Sequence, residues 1–291
     1  MDQIVLLARA KINWTLDVIG KRADGYHRVD MLMQSINLYD RITIQKAVQA
    51  TTLTSDSQVI PMDQGNLAWK AVDVIKKHFK RKGHVAIFLE KRIPVAAGLA
   101  GGSTDAAAVL VGLNHIWELG ANLETLMQVG VKLGADVPFC LLGGTARAEG
   151  IGECLTPFTV PSVFHLVLIK PYGGVSTQEV YQSLCLDTIS HHPRQEKALE
   201  GLLHGNPTCL AEGLGNVLEQ VTLGIKPEIG RIKAFLMETG ALCSMMSGSG
   251  PTVYGLFLTR ERARKSYLVM KRRYRECFLV TTSREGISVV E

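Results

Sequence analysis

The chain has 291 residues, 46% of them hydrophobic and 20% charged, with a formal net charge of +5. That length supports one large or two medium domains with real cores, in an ordinary soluble protein. No apolar run approaches the roughly 20 residues a bilayer span needs, and the acidic Met1-Asp2-Gln3 start with its short Ile4–Leu7 run does not make a signal peptide, so the cytoplasm is the expected location.

In chain order, alternating apolar residues predict short strands at Ile4–Leu7, Ile12–Val18, Val29–Leu38 and Ile42–Ile44, separated by turn chemistry at Asp24-Gly25 and Asp40. Leu67, Ala68, Ala71, Val72, Ile75 and Phe79 recur at helical spacing, and Val85–Leu89 reads as a strand. A glycine-rich loop follows, then a helix from Ser103 to about Trp117 and another from Leu123 to Leu133 with Gly134 as its stop. Pro157 and Pro161 form a short linker near residue 160, the best candidate for a domain boundary, giving units 1–160 and 161–291. Beyond it come a strand Phe164–Ile169, a helix Thr177–Leu184, further helices between Arg194 and Val221, and a helix Pro227–Glu238. Strands Ala241–Met246 and Thr252–Leu258, a basic helix and a strand Phe278–Thr282 close the pattern, which predicts a small antiparallel sheet packed on helices.

The six cysteines, at 140, 154, 185, 209, 243 and 277, show no Cys-x-x-Cys pair and no histidine at zinc spacing, so they read as buried free thiols. Arg260, Arg262, Arg264, Lys265, Lys271, Arg272, Arg273 and Arg275 form a basic run that could meet nucleic acid. Ala263, Tyr267, Leu268 and Met270 interleave with it, which favours an amphipathic helix with a solvated basic face.

Four segments carry chemistry. In Pro94-Val95-Ala96-Ala97-Gly98-Leu99-Ala100-Gly101-Gly102-Ser103-Thr104-Asp105, the glycines allow a polyanion to approach the backbone. Ser103, Thr104 and Asp105 are N-cap residues before an alanine-rich helix whose positive end favours phosphate. The loop has no Gly-Lys-Ser/Thr ending and no G-x-G-x-x-G spacing, so it is neither a Walker A nor a Rossmann loop, and a catalytic lysine must come from elsewhere. Ala10-Lys11-Ile12-Asn13 puts a lysine and an asparagine on one face of an early strand. Gly134-Ala135-Asp136-Val137-Pro138-Phe139 sets one carboxylate among apolar neighbours, where a cation would keep it ionised. A base beside a lysine suits phosphoryl transfer to an alcohol. Ser244–Thr252 is a second glycine-serine loop, expected to close over phosphates from the opposite side.

With these motifs at residues 8–16, 94–104 and 245–252, the chain resembles the GHMP kinase family over nearly its whole length. The resemblance implies an α+β, two-domain fold: an N-terminal ribosomal-protein-S5-domain-2-like domain and a C-terminal ferredoxin-like α/β sandwich, with a deep cleft between them. Residues 94–104 would wrap the phosphates of ATP, with Asn66 and Lys91 on the adenine side. Asp136 would be the base and Lys11 its electrostatic partner, with Asn13 holding a polyol. Within the family, Arg22-Ala23-Asp24-Gly25-Tyr26-His27 resembles the branch acting on the 2-hydroxyl of a cytidine-diphosphate-linked methylerythritol: Tyr26 stacks on cytosine, His27 bonds its edge, and Tyr181 is the second aromatic. The family requires Mg²⁺, yet no carboxylate pair for it stands out; the ion would arrive on ATP, near the Ser103 or Thr104 hydroxyl. The partner is then a small molecule, with neither nucleic acid nor membrane, and the chain a monomer or weak homodimer. Trp14, and alanines at 96, 97 and 100 where glycines often stand, depart from the family pattern at the polyol pocket and loop. The alternatives are another alcohol, such as homoserine or mevalonate, or a non-catalytic RNA-binding relative of the fold.

Overall fold

The computed structural model describes residues 2–23 and 25–290; Asp24, in the expected Asp24-Gly25 turn, lies outside the described residues. Where four short strands were expected, β1 (Gln3–Lys21) and β2 (His27–Ala47) form one long antiparallel hairpin. Its register slips between Arg9 and Lys11, Asn13 and Thr15, and Val18 and Gly20. From Ala10 to Val18 both faces of the strand are covered, so the polar Lys11, Asn13 and Thr15 sit buried among apolar residues. The gap expected between Leu7 and Ile12 holds Arg9 and Lys11, at the first slip.

The hairpin is the spine of an eight-stranded sheet. One end of β2 pairs with β4 (His84–Glu90), which carries the parallel β3 (Thr52–Ser55). The other end pairs with β5 (Thr145–Gly150), followed by β6 (Cys154–Phe158). Pro157 lies inside β6 opposite Ala146 rather than in a linker, as an edge strand allows. Helices α1 (Leu67–Phe79), α2 (Gly101–Ile116), α3 (Leu123–Gly130) and the short α4 (Val137–Leu142) cover the sheet. Packing is closest at Gly112 of α2, where a Cβ would come 2.5 Å from Ile44 Cδ1.

The second half begins with β7 (His165–Lys170), α5 (Thr177–Ser183) and a 3-10 turn, Leu186–Thr188. Next come α6 (Gln195–Leu203), α7 (Pro207–Gly213), β8 (Gly215–Asn216), α8 (Glu219–Ile225) and α9 (Glu228–Glu238). β9 (Cys243–Met246), β10 (Val253–Phe257), α10 (Arg260–Met270), β11 (Glu276–Thr281) and β12 (Ile287–Val289) complete it. The expected antiparallel sheet is present, in the order β11-β7-β10-β9. Two strands do not stay with it: β8 and β12 return to pair with β1, so the first sheet is built from chain on both sides of residue 160.

Between the sheets, Trp14 is fully buried and meets Phe164 and Tyr254 edge-on, at centroid distances of 5.8 and 5.7 Å. It fills the interior between Phe164 and Tyr254. On α10, Ala263, Ser266 and Met270 are buried while all eight basic residues of the run are exposed; Leu268, expected inward, is exposed too. All six cysteines are free, and Cys154 and Cys185 are exposed rather than buried.

Candidate active site

The glycine-rich loop is tied down at both ends. Where it leaves β4, the Asp40 carboxylate accepts the backbone N–H groups of Arg92 and Ile93 and the Lys91 ammonium, the last at 2.5 Å. At the far end α2 starts at Gly101, two residues before the expected position, with Ala100 as N-cap in the left-handed region at φ 57°. Ser103, Thr104 and Asp105 therefore lie inside the helix and do not cap it: the Thr104 hydroxyl donates to the Arg9 carbonyl at 2.8 Å, and Asp105 pairs with Lys91 at 2.5 Å. The first helical bond runs from the Thr104 N–H to the Ala100 carbonyl. The N–H groups of Gly101, Gly102 and Ser103 thus precede it, at the positive end of a 16-residue helix. Pro94, Ala97, Leu99 and Thr104 are buried supports, while Val95, Ala96 and Gly102 are exposed.

Lys91 is not open to a nucleotide base. Its side chain is 6% exposed, bound by Asp40 and Asp105 beneath the loop. Burial alone would lower the pKa of this ammonium, but the two carboxylates more than offset that and leave it raised. Burial pushes the Asp105 carboxyl up to about 7, against the pull of the Lys91 charge. The Asn66 side chain is likewise engaged: it caps α1 by accepting the Ala68 N–H at 2.9 Å and donates to the Pro61 carbonyl at 2.8 Å.

Lys11 and Asp136, separated by 125 residues of sequence, meet with Nζ 3.6 Å from Oδ2. The β-bulge before Lys11 releases its backbone N–H from the sheet, and that group donates to the Leu99 carbonyl of the glycine loop at 3.1 Å. The buried ammonium also donates to Asn13 Oδ1 at 2.8 Å. Asp136 occupies the N-cap position of α4, but its side chain makes no capping bond and its carboxylate, 34% exposed, faces Lys11. Asn13 is almost fully buried; its amide N–H lies 3.4 Å from Met31 Sδ, and its backbone carbonyl accepts the Tyr254 hydroxyl at 3.0 Å.

At the hairpin tip, Tyr26 is 61% exposed, and the rings of His27 and Tyr181 lie 5.4 Å apart with an interplanar angle of 36°. Burial, and then the charge of Lys21, hold the His27 pKa below its usual value, so the imidazole is neutral at pH 7. Burial, and then the negative charge of Asp136, push the Tyr181 hydroxyl well above its usual range. The three residues expected at the nucleoside end are therefore on one side of the molecule, with Tyr181 inside the field of Asp136.

The second glycine-serine loop does not face the first across a gap. It packs directly against it: the Ser247 hydroxyl donates to the Gly98 carbonyl at 3.0 Å, the Thr252 N–H donates to the Ala97 carbonyl at 3.3 Å, and a Cβ on Gly98 would collide with the Ser247 carbonyl. The supporting roles of Asp40, Asp105, Ser247 and Thr252 differ from what the sequence suggests: Asp40 reads as a turn, Asp105 as an N-cap, and Ser247 and Thr252 as part of a loop facing phosphates.

The family model for the GHMP kinases N terminal domain matches residues 66–144, and that for GHMP kinases C terminal matches 198–276. The chain is 47% identical to a 4-diphosphocytidyl-2-C-methyl-D-erythritol kinase of Alkaliphilus oremlandii, over 99% of this chain and 100% of that one. It is 46% identical to the protein of the same name from Clostridioides difficile, over 99% and 98% of the two chains. Among solved structures, a 4-(cytidine 5'-diphospho)-2C-methyl-D-erythritol kinase superposes with a TM-score of 0.82 at 32% identity, covering 96% of this chain and 99% of the other. A homoserine kinase from Cytophaga hutchinsonii shares the fold, with a TM-score of 0.80 at 18% identity and coverage of 100% and 98%.

Proposed function

The chain belongs to the GHMP kinase family, and we propose that Asp136 and Lys11 carry its transfer of the γ-phosphoryl group of ATP to an alcohol. The acceptor is the 2-hydroxyl of 4-diphosphocytidyl-2-C-methyl-D-erythritol, a step of the non-mevalonate route to isoprenoids. The observation that carries the mechanism is the Lys11–Asp136 pair, 3.6 Å apart and tied through the Lys11 N–H to the glycine loop. Asp136 takes the proton of the hydroxyl as its oxygen attacks the γ-phosphorus, and the bond from that phosphorus to the β-phosphate oxygen breaks. Lys11 offsets the negative charge developing between the two oxygens. Residues 94–104 cradle the phosphates through backbone N–H groups.

Among the described residues, no three metal-ligating side chains gather at one place. We assign Mg²⁺ to the incoming nucleotide, keeping most of its waters. Of the two nearby hydroxyls, that of Thr104 is fully buried and donates to the Arg9 carbonyl, while Ser103 is half-buried. The grouping of Tyr26, His27 and Tyr181 favours a cytidyl substrate over homoserine or mevalonate, which have no base to stack. Among the described residues no helix is long and apolar enough to cross a membrane, and the six free thiols support a reducing compartment.

The test is Asp136→Asn, assayed for ATP turnover with the cytidyl substrate. Loss of the base lowers turnover by roughly 10²–10⁴, while ATP affinity stays within about twofold because the loop is untouched. Full turnover in this variant removes Asp136 from the mechanism.

A further inference from the structure

Between the two halves of the site lies an asparagine that the mechanism above does not use. Asn216 ends the two-residue strand β8, which pairs with β1 at Thr15 and Leu16, just beyond Asn13. Its side-chain amide donates both N–H groups, at 2.8 Å each, to the carbonyls of Met246 and Gly248, one on either side of Ser247. Its own oxygen accepts the Leu218 N–H at 3.0 Å, so three of its side-chain bonds are to backbone. Next to it, the Glu219 carboxylate accepts the Met246 N–H at 2.9 Å. The start of the second glycine loop is therefore gripped by its carbonyls and its N–H from Asn216 and Glu219, three residues apart in one short segment.

What that grip fixes is Ser247. This residue bonds the Gly98 carbonyl through its hydroxyl, and its own carbonyl accepts the Gly250 N–H at 2.9 Å. It leaves no room for a side chain at Gly98. On the other side, a Cβ on Gly248 would be 3.5 Å from Asn13 Oδ1, the acceptor of the Lys11 ammonium. One amide thus stands behind the loop that packs on Gly98.

Resting on the function proposed above, we infer that Asn216 is a positioning residue: by clamping Met246 and Gly248 it presses Ser247 against Gly98 and holds the glycine-rich loop in its ATP-receiving shape. Asn216→Asp keeps size and shape and can still accept the Leu218 N–H, but it sets a carboxylate oxygen against two carbonyls. Removing two donors from carbonyls of the buried Met246 and Gly248 is expected to weaken ATP binding about ten- to a hundredfold. Binding of the cytidyl substrate stays within about twofold, because Tyr26, His27 and Tyr181 lie on other elements. Uniform loosening of the fold would weaken both ligands together.

The experiment titrates the full chain with ATP and, separately, with the cytidyl substrate by calorimetry, in the wild type, Asn216→Asp, Ser247→Ala and the double variant. Expected are weakened ATP binding in each single variant, larger for Asn216→Asp, and a double variant no worse than Asn216→Asp alone, since both act along one path. Unchanged ATP affinity in Asn216→Asp, equal weakening of both ligands, or additive losses in the double variant would each overturn the assignment. Should Asn216→Asp not fold, Ser247→Ala decides: ATP affinity equal to wild type refutes the path, and weakened ATP binding with intact substrate binding supports it. Binding is read without turnover, so a failure of the kinase reading shows separately, as wild-type protein that binds ATP and phosphorylates no cytidyl substrate.

Discussion

Replacing Gly98 with alanine tests the phosphate loop at the point where its shape is most constrained. Gly98 has φ +73°, and the Cβ of an alanine there would overlap the Ser247 carbonyl and come within 3.1 Å of the Gly250 backbone. Holding an L-residue in this left-handed region costs roughly 1–2 kcal/mol. Separating the loops to relieve the overlap also breaks the hydrogen bond from Ser247 Oγ to the Gly98 carbonyl, worth about 0.5–1.5 kcal/mol. Together these amount to about 1.5–3.5 kcal/mol against the ATP-receiving conformation. At about 1.4 kcal/mol per factor of ten, ATP affinity should fall roughly 10- to 300-fold. Calorimetric titration of Gly98→Ala with ATP measures this, with Gly224→Ala as control because nothing lies within 4 Å of a Cβ there. ATP binding within twofold of wild type in Gly98→Ala would show that the loop geometry described above is not what receives the nucleotide.

Two further outcomes follow from the same geometry. Tyr26→Ala removes a stacking face worth about 1–3 kcal/mol per base, so the KM for the cytidyl substrate should rise about 5- to 150-fold with a smaller change in kcat; unchanged KM removes Tyr26 from the nucleoside site. Burial, and then the negative charge of Asp136, push the Cys140 thiol far above its usual value, so it stays protonated across the neutral and mildly alkaline range. Iodoacetamide applied at pH 8 should label the exposed Cys154 and Cys185 and leave Cys140 unmodified, as read by peptide mass spectrometry; early labelling of Cys140 would contradict the closed packing around Asp136.

Elements built from local pattern were legible in advance. The spacing Leu67, Ala71, Val72 and Ile75 located α1, and the glycine-rich run followed by alanines located α2 and the loop before it. Asp136 and Lys11 were chosen from unconnected motifs, and the chain brings them to 3.6 Å. What the sequence hid depends on partners far along the chain. Lys91, set on the adenine side by the family resemblance, is held by Asp40 and Asp105, which stand 51 and 14 residues away. The charged Arg9 and Lys11, at the first bulge of β1, divided a 19-residue strand into fragments, because the sheet is covered on both faces there and simple alternation does not apply. The start of α2 was misplaced by two residues because cap-type side chains at 103–105 found tertiary partners instead, and an alanine took the left-handed position.

The return of β12 to the first sheet has a consequence for synthesis. Leu6, Leu7 and Ala8 pair with Val289, Ser288 and Ile287, and Arg9 bonds the Gly286 carbonyl and pairs with Glu285. Chain growth proceeds at about 5–20 residues per second, so roughly 10–50 seconds separate completion of the hairpin from the appearance of its last neighbour on the ribosome. Through that interval the outer edge of β1 presents unsatisfied backbone groups and Ile4, Val5 and Leu6 beside them, the kind of edge that invites pairing with another nascent chain. The strand that carries Lys11 is translated early, yet it gains β12 as a partner only after every strand of the second sheet has been made.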